Sequence, residues 1–257
     1  MRAFITTAAG QSTRFNQGCA DPVLKCLYHT EKTPECILFR LLRQAVEAGF
    51  DRLIVVGGYR YQDLQHAVEE YHNPSIKLVY NPRWQDCGSM YSLYYGVLAA
   101  EGATELLFCE GDIITDRDSF RQLASAQKDS FAIAREPIFA DRSVAAYQGS
   151  DDRLHYLFDA NHGALTFPPN VKAVFHSAQA WKVDDGETFI RMNAQLTETE
   201  RRGTNLVLIE RYFRRQPMEK LNPITLEHWI NCNTREDFAR YESQKILFDR
   251  AHESDRS

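Results

Sequence analysis

The chain has 257 residues, 44% of them hydrophobic, which is enough for a sizeable core, and a single domain is the expectation. A charged fraction of 25% and a net charge of −5, with Lys and Arg scattered instead of massed, argue against a phosphate-backbone footprint and so against nucleic acid as a partner. No apolar run nears the roughly 20 residues that span a bilayer, and the N-terminal apolar piece lacks a cleavage pattern, so a cytoplasmic protein with no membrane span is expected.

The opening "FITTAAGQSTRFNQG" starts as a strand and dissolves into a loop of small residues. "TPECILFRLLRQAVEAGF" places Ile37, Leu38, Leu41, Leu42, Ala45 and Val46 at helical spacing, with Pro34 near the start and Gly49 past the end. "DRLIVVGGY" is a continuously apolar run that fits a strand buried on both faces. An amphipathic "YQDLQHAVEEYH", a strand in "IKLVYN", a helix over "SMYSLYYGVLAAEG" and a strand in "TELLFCEGD" follow. This alternation predicts βαβ units and a mainly parallel sheet. Beyond it the rhythm changes. "SFAIAREP", "SVAAYQG", "RLHYLFD" and "VKAVFHSAQAWKV" read as strands of an antiparallel or mixed extension. Helices are expected near "GETFIRMNAQLTETERR" and "TNLVLIERYFRR", then a strand in "EHWINCN" and a last helix that Thr234 and Asp237 cap. The cysteines, Cys19, Cys26, Cys36, Cys87, Cys109 and Cys232, include no CxxC pair and read as reduced thiols, some buried as small hydrophobes.

In open α/β sheets ligands collect beyond the carboxyl ends of strands. Here the loops 8–18, 57–61, 81–89 and 110–117 leave such ends. The first is neither GxxxxGK[ST] nor GxGxxG, yet Ala9 and Gly10 allow close backbone approach and Arg14 can fork onto phosphate oxygens. A small-residue turn with a solvated Arg14 would read the same. Lys25, between Leu24 and Cys26, suits a phosphate that gains charge during transfer, against the plainer reading of a lysine in water. "LLFCEGDIITD" ends a buried strand on Glu110, Gly111 and Asp112, which places a carboxylate where Mg²⁺ can be held with phosphate oxygens. Asp116 and Asp118 read instead as helix-capping acids. Asn231 and Asn233 face one side by strand alternation, as metal ligands or as turn formers.

The segments "TTAAGQSTRF", "DPVLKCL", "LIVVGGYRYQDL", "NPRWQDCGSMYSL", "LLFCEGDII" and "WINCNTREDFARYE" stand in the order and near the spacing of the nucleotidyltransferases that activate sugar phosphates and phosphocholine. The pattern resembles most closely the small CTP:phosphocholine cytidylyltransferases, above all in N-x-x-(aromatic)-x-x-x-x-S-(apolar)-Y-S from Asn81 to Ser92. The match covers about the first 120 and last 30 residues and is architectural between about 130 and 220. It implies an α/β, Rossmann-like three-layer sandwich of GT-A type, with a mostly parallel central mixed sheet and a small antiparallel and helical lid. Residues 1–257 would form one nucleotidyltransferase domain, with about 130–220 as its acceptor-binding portion.

By the same resemblance Arg14 would contact the β and γ phosphates, Lys25 would steady the α phosphate, and Asp112 would carry Mg²⁺. Asn233 stands in the place of the second metal ligand, often Asp in the superfamily, with Asn231 or Glu110 assisting through water. The nucleotide would lie along Ala8, Ala9, Gly10, Gln11, Ser12, Gly88, Ser89 and Glu110. Ser12 replaces a common second Gly, which leaves the loop geometry open, and the segment from Gln85 to Ser89 is compatible with a pyrimidine. Trp84, Tyr91 and Trp181 are the expected acceptor residues, with Tyr94 and Tyr95 more often core at such spacing, and Glu110 or Asp184 as a charge partner for an ammonium group. The implied reaction moves CMP from CTP to a small phosphorylated acceptor, phosphocholine-like, a phosphonate or a phospho-amino-acid, and releases pyrophosphate. No protein nucleophile is needed, in keeping with the lack of a Ser/His/Asp or Cys/His pattern. A sugar-1-phosphate uridylyl- or thymidylyltransferase and a non-catalytic nucleotide-binding regulator are the alternatives. Oligomeric state, a homo-oligomer included, is left open.

Overall fold

Neighbouring residues of β1 (Arg2–Ala8) and β2 (Arg52–Gly57) enter two different cores, because successive side chains of a strand point to opposite faces. Phe4, Leu53 and Val55 join one apolar cluster, and Ala3, Ile5, Ile54 and Val56 the other. A strand apolar on both faces needs helices on both sides, and the computed structural model, which describes residues 1–85, 88–159 and 163–249, has them. The first cluster is closed by α1 (Ile37–Glu47), α2 (Tyr61–Tyr71), α4 (Arg117–Ala124) and α8 (Arg235–Asp249). On the other face lie α3 (Met90–Ala99), α5 (Gly186–Ala194) and α7 (Leu206–Phe213). Gly49, at φ +77°, turns the chain out of α1 where a side chain would be strained.

The sheet between them has nine strands among the described residues. Its main path adds β3 (Ile76–Tyr80), β4 (Glu105–Glu110), β6 (Ser130–Ala134), β9 (Ala173–Val183) and β10 (Asn222–Leu226) in the order β10-β6-β9-β4-β1-β2-β3. The pairs β1·β2, β2·β3, β1·β4 and β6·β10 are parallel, and β9 runs antiparallel to both β4 and β6. The hairpin β7 (Ala145–Gln148) and β8 (Leu154–Leu157) extends β9 as the antiparallel portion. The segment expected to cover the acceptor thus also supplies β6 and β9 to the central sheet. The helical stretch expected near "GETFIRMNAQLTETERR" breaks in two. Thr197 and Glu200 form a reciprocal capping box that starts a separate α6 (Glu198–Arg201).

Two pairings position the site. The register Thr7↔Glu110 and Ala8↔Gly57 aligns the carboxyl ends of β1, β2 and β4. A short antiparallel ribbon of β5 (Ile113–Thr115) and β11 (Trp229–Asn231) joins the fourth loop to the last one, and the Cys232 amide donates to Asp112 O at 2.8 Å. Arg40, buried in α1, holds this ribbon against α8 by donating to Phe248 O (2.7 Å), Asp249 Oδ1 (2.6 Å) and Thr115 O (3.4 Å). Among the described residues Cys19, Cys26, Cys36, Cys109 and Cys232 are free thiols, while Cys87 lies outside them. No described helix is long and apolar enough to cross a membrane.

Candidate active site

Beyond β1 the chain turns at Ser12, whose φ of +57° belongs to the left-handed region that favours glycine. Local bonds hold it there. The Ser12 hydroxyl accepts from the Lys25 amide at 3.1 Å, and its carbonyl accepts from Asn16 N at 3.0 Å. Serine therefore serves in a conformation that favours glycine, and its hydroxyl fastens the first loop to the turn that carries Lys25. That turn, Lys25–Leu27, is a single 3-10 turn with Leu24 and Cys26 buried on either side, which leaves the lysine side chain to face the cavity. The second loop is tied in by Tyr59 N donating to Ala9 O at 3.1 Å.

Four of the expected residues meet. Lys25 Nζ pairs with Asp112 Oδ2 and donates to Asn233 Oδ1 at 3.2 Å. Arg14 Nη2 donates to the same Asn233 oxygen at 2.8 Å. The amide of Asn233 is oriented from behind, its Nδ2 donating to Asn231 Oδ1 at 2.8 Å and its backbone N–H to Asp237 Oδ2 at 2.9 Å. Asp237 and Thr234 also cap α8 reciprocally, at 2.8 and 3.1 Å. Oxygens of Asp112 and Asn233 thus converge on one cation, the Lys25 ammonium. Such hard oxygen donors suit a divalent ion that brings phosphate oxygens with it, since Mg²⁺ takes one or two carboxylates and fills its shell from substrate and water. Asn231 bonds Asn233, and Glu110 bonds Thr7 and Asn205, so Asp112 and Asn233 are the residues of this cluster that could hold such an ion.

The cluster lies between two cavities of about 220 Å³ each. The first is lined by Ala8, Ala9, Gly10, Ser12, Trp84, Gly88 and Ser89 and has Lys25, Glu110 and Asp112 at its inner end. No atom stands within 4 Å of where a Cβ on Gly10 would be, so the loop presents bare backbone to open space. Gln11 is exposed and borders an outer cleft with Arg14 in place of this cavity. The second cavity shares Lys25, Ser89, Glu110 and Asp112 and continues to Arg142, Gln179, Thr204, Asn205 and Asn231. Asp86 and Cys87 lie outside the described residues, so the expectation about base choice falls partly there.

Gly111, between Glu110 and Asp112, lets the chain pass close against the end of β1. A Cβ on it would run into the Thr7 carbonyl oxygen, which its own N–H meets at 3.1 Å. Gly111→Ala should therefore lower stability by about 1–3 kcal/mol and displace Asp112. A melting temperature equal to that of wild type would contradict this.

Glu110 is held by the Thr7 hydroxyl, donating at 3.0 Å, and by the Asn205 amide. Burial of its carboxyl, and then the nearby Asp112 charge, push its pKa up from 4.5 to about 7. The folded chain thus keeps a proton that the unfolded chain has already lost, so metal-free protein should lose stability as pH rises from 4.5 to about 7. Glu110→Gln should remove that slope, read from melting curves in EDTA; parallel curves for variant and wild type would refute it.

Two expected acceptor residues are corrected. Trp181 is 1% exposed, stacks on Phe108 with centroids 5.4 Å apart, and donates its indole N–H to Tyr156 Oη at 2.7 Å. It is core because β9 lies between β4 and β6. Tyr91 is 5% exposed and its hydroxyl donates to Glu198 Oε2 at 2.5 Å, so it borders neither cavity and joins α3 to α6. Tyr94 and Tyr95 pack against the second core. Asp184 follows Val183, whose partner is Leu106, and so lies by the amino-terminal end of β4, whereas Asp112 follows its carboxyl end. Trp84 does line a cavity, but the first one, beside Ala9 and over Gly58. The Asn81 and Ser92 ends of the aromatic motif brace the third loop on α3, with Asn81 Nδ2 donating to Ser92 Oγ at 3.0 Å. Sequence reasoning missed Thr7, Asn205, Arg142 and Gln179, which are single polar residues in no recognisable pattern.

The profile of the family described as "Domain of unknown function (DUF6564)" matches residues 21–245. No curated protein matches the chain. Solved structures share its architecture across nearly the whole length. The inositol-1-phosphate CTP transferase from T. maritima superposes with a TM-score of 0.70 at 12% identity, covering 98% of both chains. The CTP:phosphocholine cytidylyltransferase from Streptococcus pneumoniae gives 0.64 at 15% identity, covering 96% of this chain and 99% of that one. A putative glucose-1-phosphate thymidylyltransferase from Bacillus anthracis gives 0.71 at 11% identity, with 98% of each covered. With most of its length matched by that profile, the chain belongs to the DUF6564 family, and it is built on the Rossmann-like fold of the nucleotidyltransferases.

Proposed function

We propose that the protein is a Mg²⁺-dependent nucleotidyltransferase that takes CTP as donor and a small phosphorylated molecule as acceptor and releases pyrophosphate. The observation that carries this reading is the meeting of Arg14, Lys25, Asp112 and Asn233 beside the bare backbone at Gly10. Arg14 has no carboxylate partner among the described residues and is available to the β and γ phosphates of a chain laid over the first loop. Lys25, freed from Asp112 once that carboxylate has a divalent partner, reaches the α phosphate and offsets the charge that grows there in the transition state. Mg²⁺ held by Asp112 and Asn233 would neutralise the triphosphate and polarise the reacting phosphoryl group.

An acceptor phosphate oxygen forms the new bond to the α phosphorus as the bond from that phosphorus to the bridging oxygen breaks, and the electron pair leaves with pyrophosphate. The acceptor is already anionic near neutral pH, so no protein base or nucleophile takes part, and the protein's work is positioning and charge neutralisation. A cytoplasmic site of action goes with a nucleoside triphosphate substrate. Residues of the 130–220 segment, which border the second cavity, form the acceptor side of the single domain.

CTP is chosen on the resemblance carried by the Asn81–Ser92 motif. UTP and dTTP are the competitors, because UDP-glucose pyrophosphorylase and the thymidylyltransferase share the fold as closely. The test is pyrophosphate release from each triphosphate, offered with phosphorylated acceptors, with and without EDTA. Release that depends on both acceptor and metal is expected, fastest with CTP. Triphosphate binding with no release under any pairing would favour the regulator instead.

A further inference from the structure

The second cavity has lining residues that the first cavity lacks, and one of them is strained. Gln179 lies within β9 at φ +57°, a conformation that is strained for any residue except glycine. It marks a bulge, where the register of β9 against β6 shifts between Phe131 and Ile133. The bulge is secured from both sides. Ser177 Oγ accepts from Gln179 N at 3.3 Å, and the Trp229 indole donates to the Ala178 carbonyl at 2.9 Å. Its effect is to turn the Gln179 side chain into the cavity beside the end of β4, where the carboxamide has no hydrogen-bond partner among the described residues.

We propose that Gln179 reads the acceptor, and that the acceptor carries an uncharged, hydroxyl-bearing body on its phosphate. The proposal rests on the nucleotidyl-transfer reading above. The two cavities share Lys25 and Asp112, so a molecule in the second lies next to a phosphate steadied from the first. Arg142 is placed to meet its anionic end, its nearest carboxylate being Asp141 at 3.9 Å. Gln179 and Thr204 supply an amide and a hydroxyl for the rest, while Asn205 and Asn231, already bonded to Glu110 and Asn233, add only the amide groups those bonds leave over.

An ammonium-bearing acceptor finds no such welcome. Both Glu110 oxygens are engaged by Thr7 and Asn205, and Asp112 by Lys25. Among the described residues the one aromatic side chain lining this cavity is Phe158, a single half-buried ring where a quaternary ammonium calls for a cage of several. This departs from the phosphocholine-like acceptor that the sequence resemblance implies.

The test compares glucose 1-phosphate and inositol 1-phosphate with phosphocholine, at saturating Mg²⁺ and whichever of CTP, UTP or dTTP is turned over. Wild type should use at least one hydroxylated phosphate with kcat/KM about tenfold or more above phosphocholine. Gln179→Leu should raise the KM for that acceptor about tenfold or more, because a site built to bond a hydroxyl loses most when its partner group is removed. Gln179→Gly relieves the backbone strain while removing the amide. It should show the same loss with a melting temperature at least that of wild type, which separates recognition from folding. Preference for phosphocholine, no use of either hydroxylated phosphate, or an unchanged KM in both variants would overturn the proposal. Calorimetric titration with Mg²⁺ and the triphosphate keeps the two readings apart. With equal nucleotide binding by wild type and Gln179→Leu, the acceptor KM alone decides for or against Gln179, whereas no nucleotide binding by wild type removes both readings.

Discussion

Lys25→Ala should slow nucleotidyl transfer by about a hundredfold or more, the scale of a removed oxyanion donor, with the melting temperature little changed. The ammonium sits between Asp112 and Asn233 in the resting protein, and in the proposed reaction it is the group nearest the α phosphate. Its loss removes an interaction that strengthens as charge develops, so kcat should fall more than KM rises. Folding should tolerate the change. The side chains of the Lys25–Asp112 pair are 20% and 17% exposed, and the Lys25 turn is anchored by Leu24, Cys26 and the backbone bond to Ser12, none of which the substitution touches. A second consequence separates this role from general damage. With its resident cation gone, Asp112 should bind Mn²⁺ in the absence of nucleotide more tightly than in wild type, a change readable by electron paramagnetic resonance. Normal turnover in Lys25→Ala would remove the lysine from the mechanism.

Asp112→Asn should have the larger effect, bringing metal-dependent turnover below detection. Amide oxygen replaces the carboxylate at the point where the donor set has its one full negative charge, and Asn233 beside it is already neutral. The architecture should survive, because Asp112 is fixed through its backbone. The Cys232 amide donates to its carbonyl, and the ribbon register Asn231↔Ile113 involves no side chain of Asp112. Retained near-ultraviolet circular dichroism with lost activity is the expected pair of results, and raising Mg²⁺ should not restore turnover. Wild-type activity in Asp112→Asn would contradict the metal assignment.

Much of this arrangement was legible in the residues themselves. The runs in β2 and β4 are apolar at every position between their end residues, which is the mark of a strand covered twice, and the rule that ligands gather at the carboxyl ends then selected the loops bearing Gly10 and Asp112. What was not legible falls into three physical kinds. Strand β10 carries Pro223, which reads against a strand and is tolerated because β10 pairs only with β6, at the edge of the sheet. Trp181 and Tyr91 have the same side chains that a cation cage would use, and only the placement of β9 and α6 decides that they are core. Gln179 sits in an alternating run, "HSAQAWKV", that reads as plain strand. Its bulge depends on Trp229, far along the chain, and on a register no local pattern encodes. Ser12 is the converse case: the residue departs from glycine, yet the loop keeps a glycine-like conformation because two local hydrogen bonds hold it.

Nucleotidyl transfer at this site requires one triphosphate and one divalent ion in the place where Arg14, Lys25, Asp112 and Asn233 meet. A crystal soaked with CTP and Mg²⁺ tests that requirement most directly. Difference density should show the α phosphate within hydrogen-bonding distance of Lys25 Nζ, the metal on Asp112, and the β and γ phosphates at Arg14, over the backbone of Ala9 and Gly10. Nucleotide density in any other cleft, with Lys25 still paired to Asp112, would contradict it.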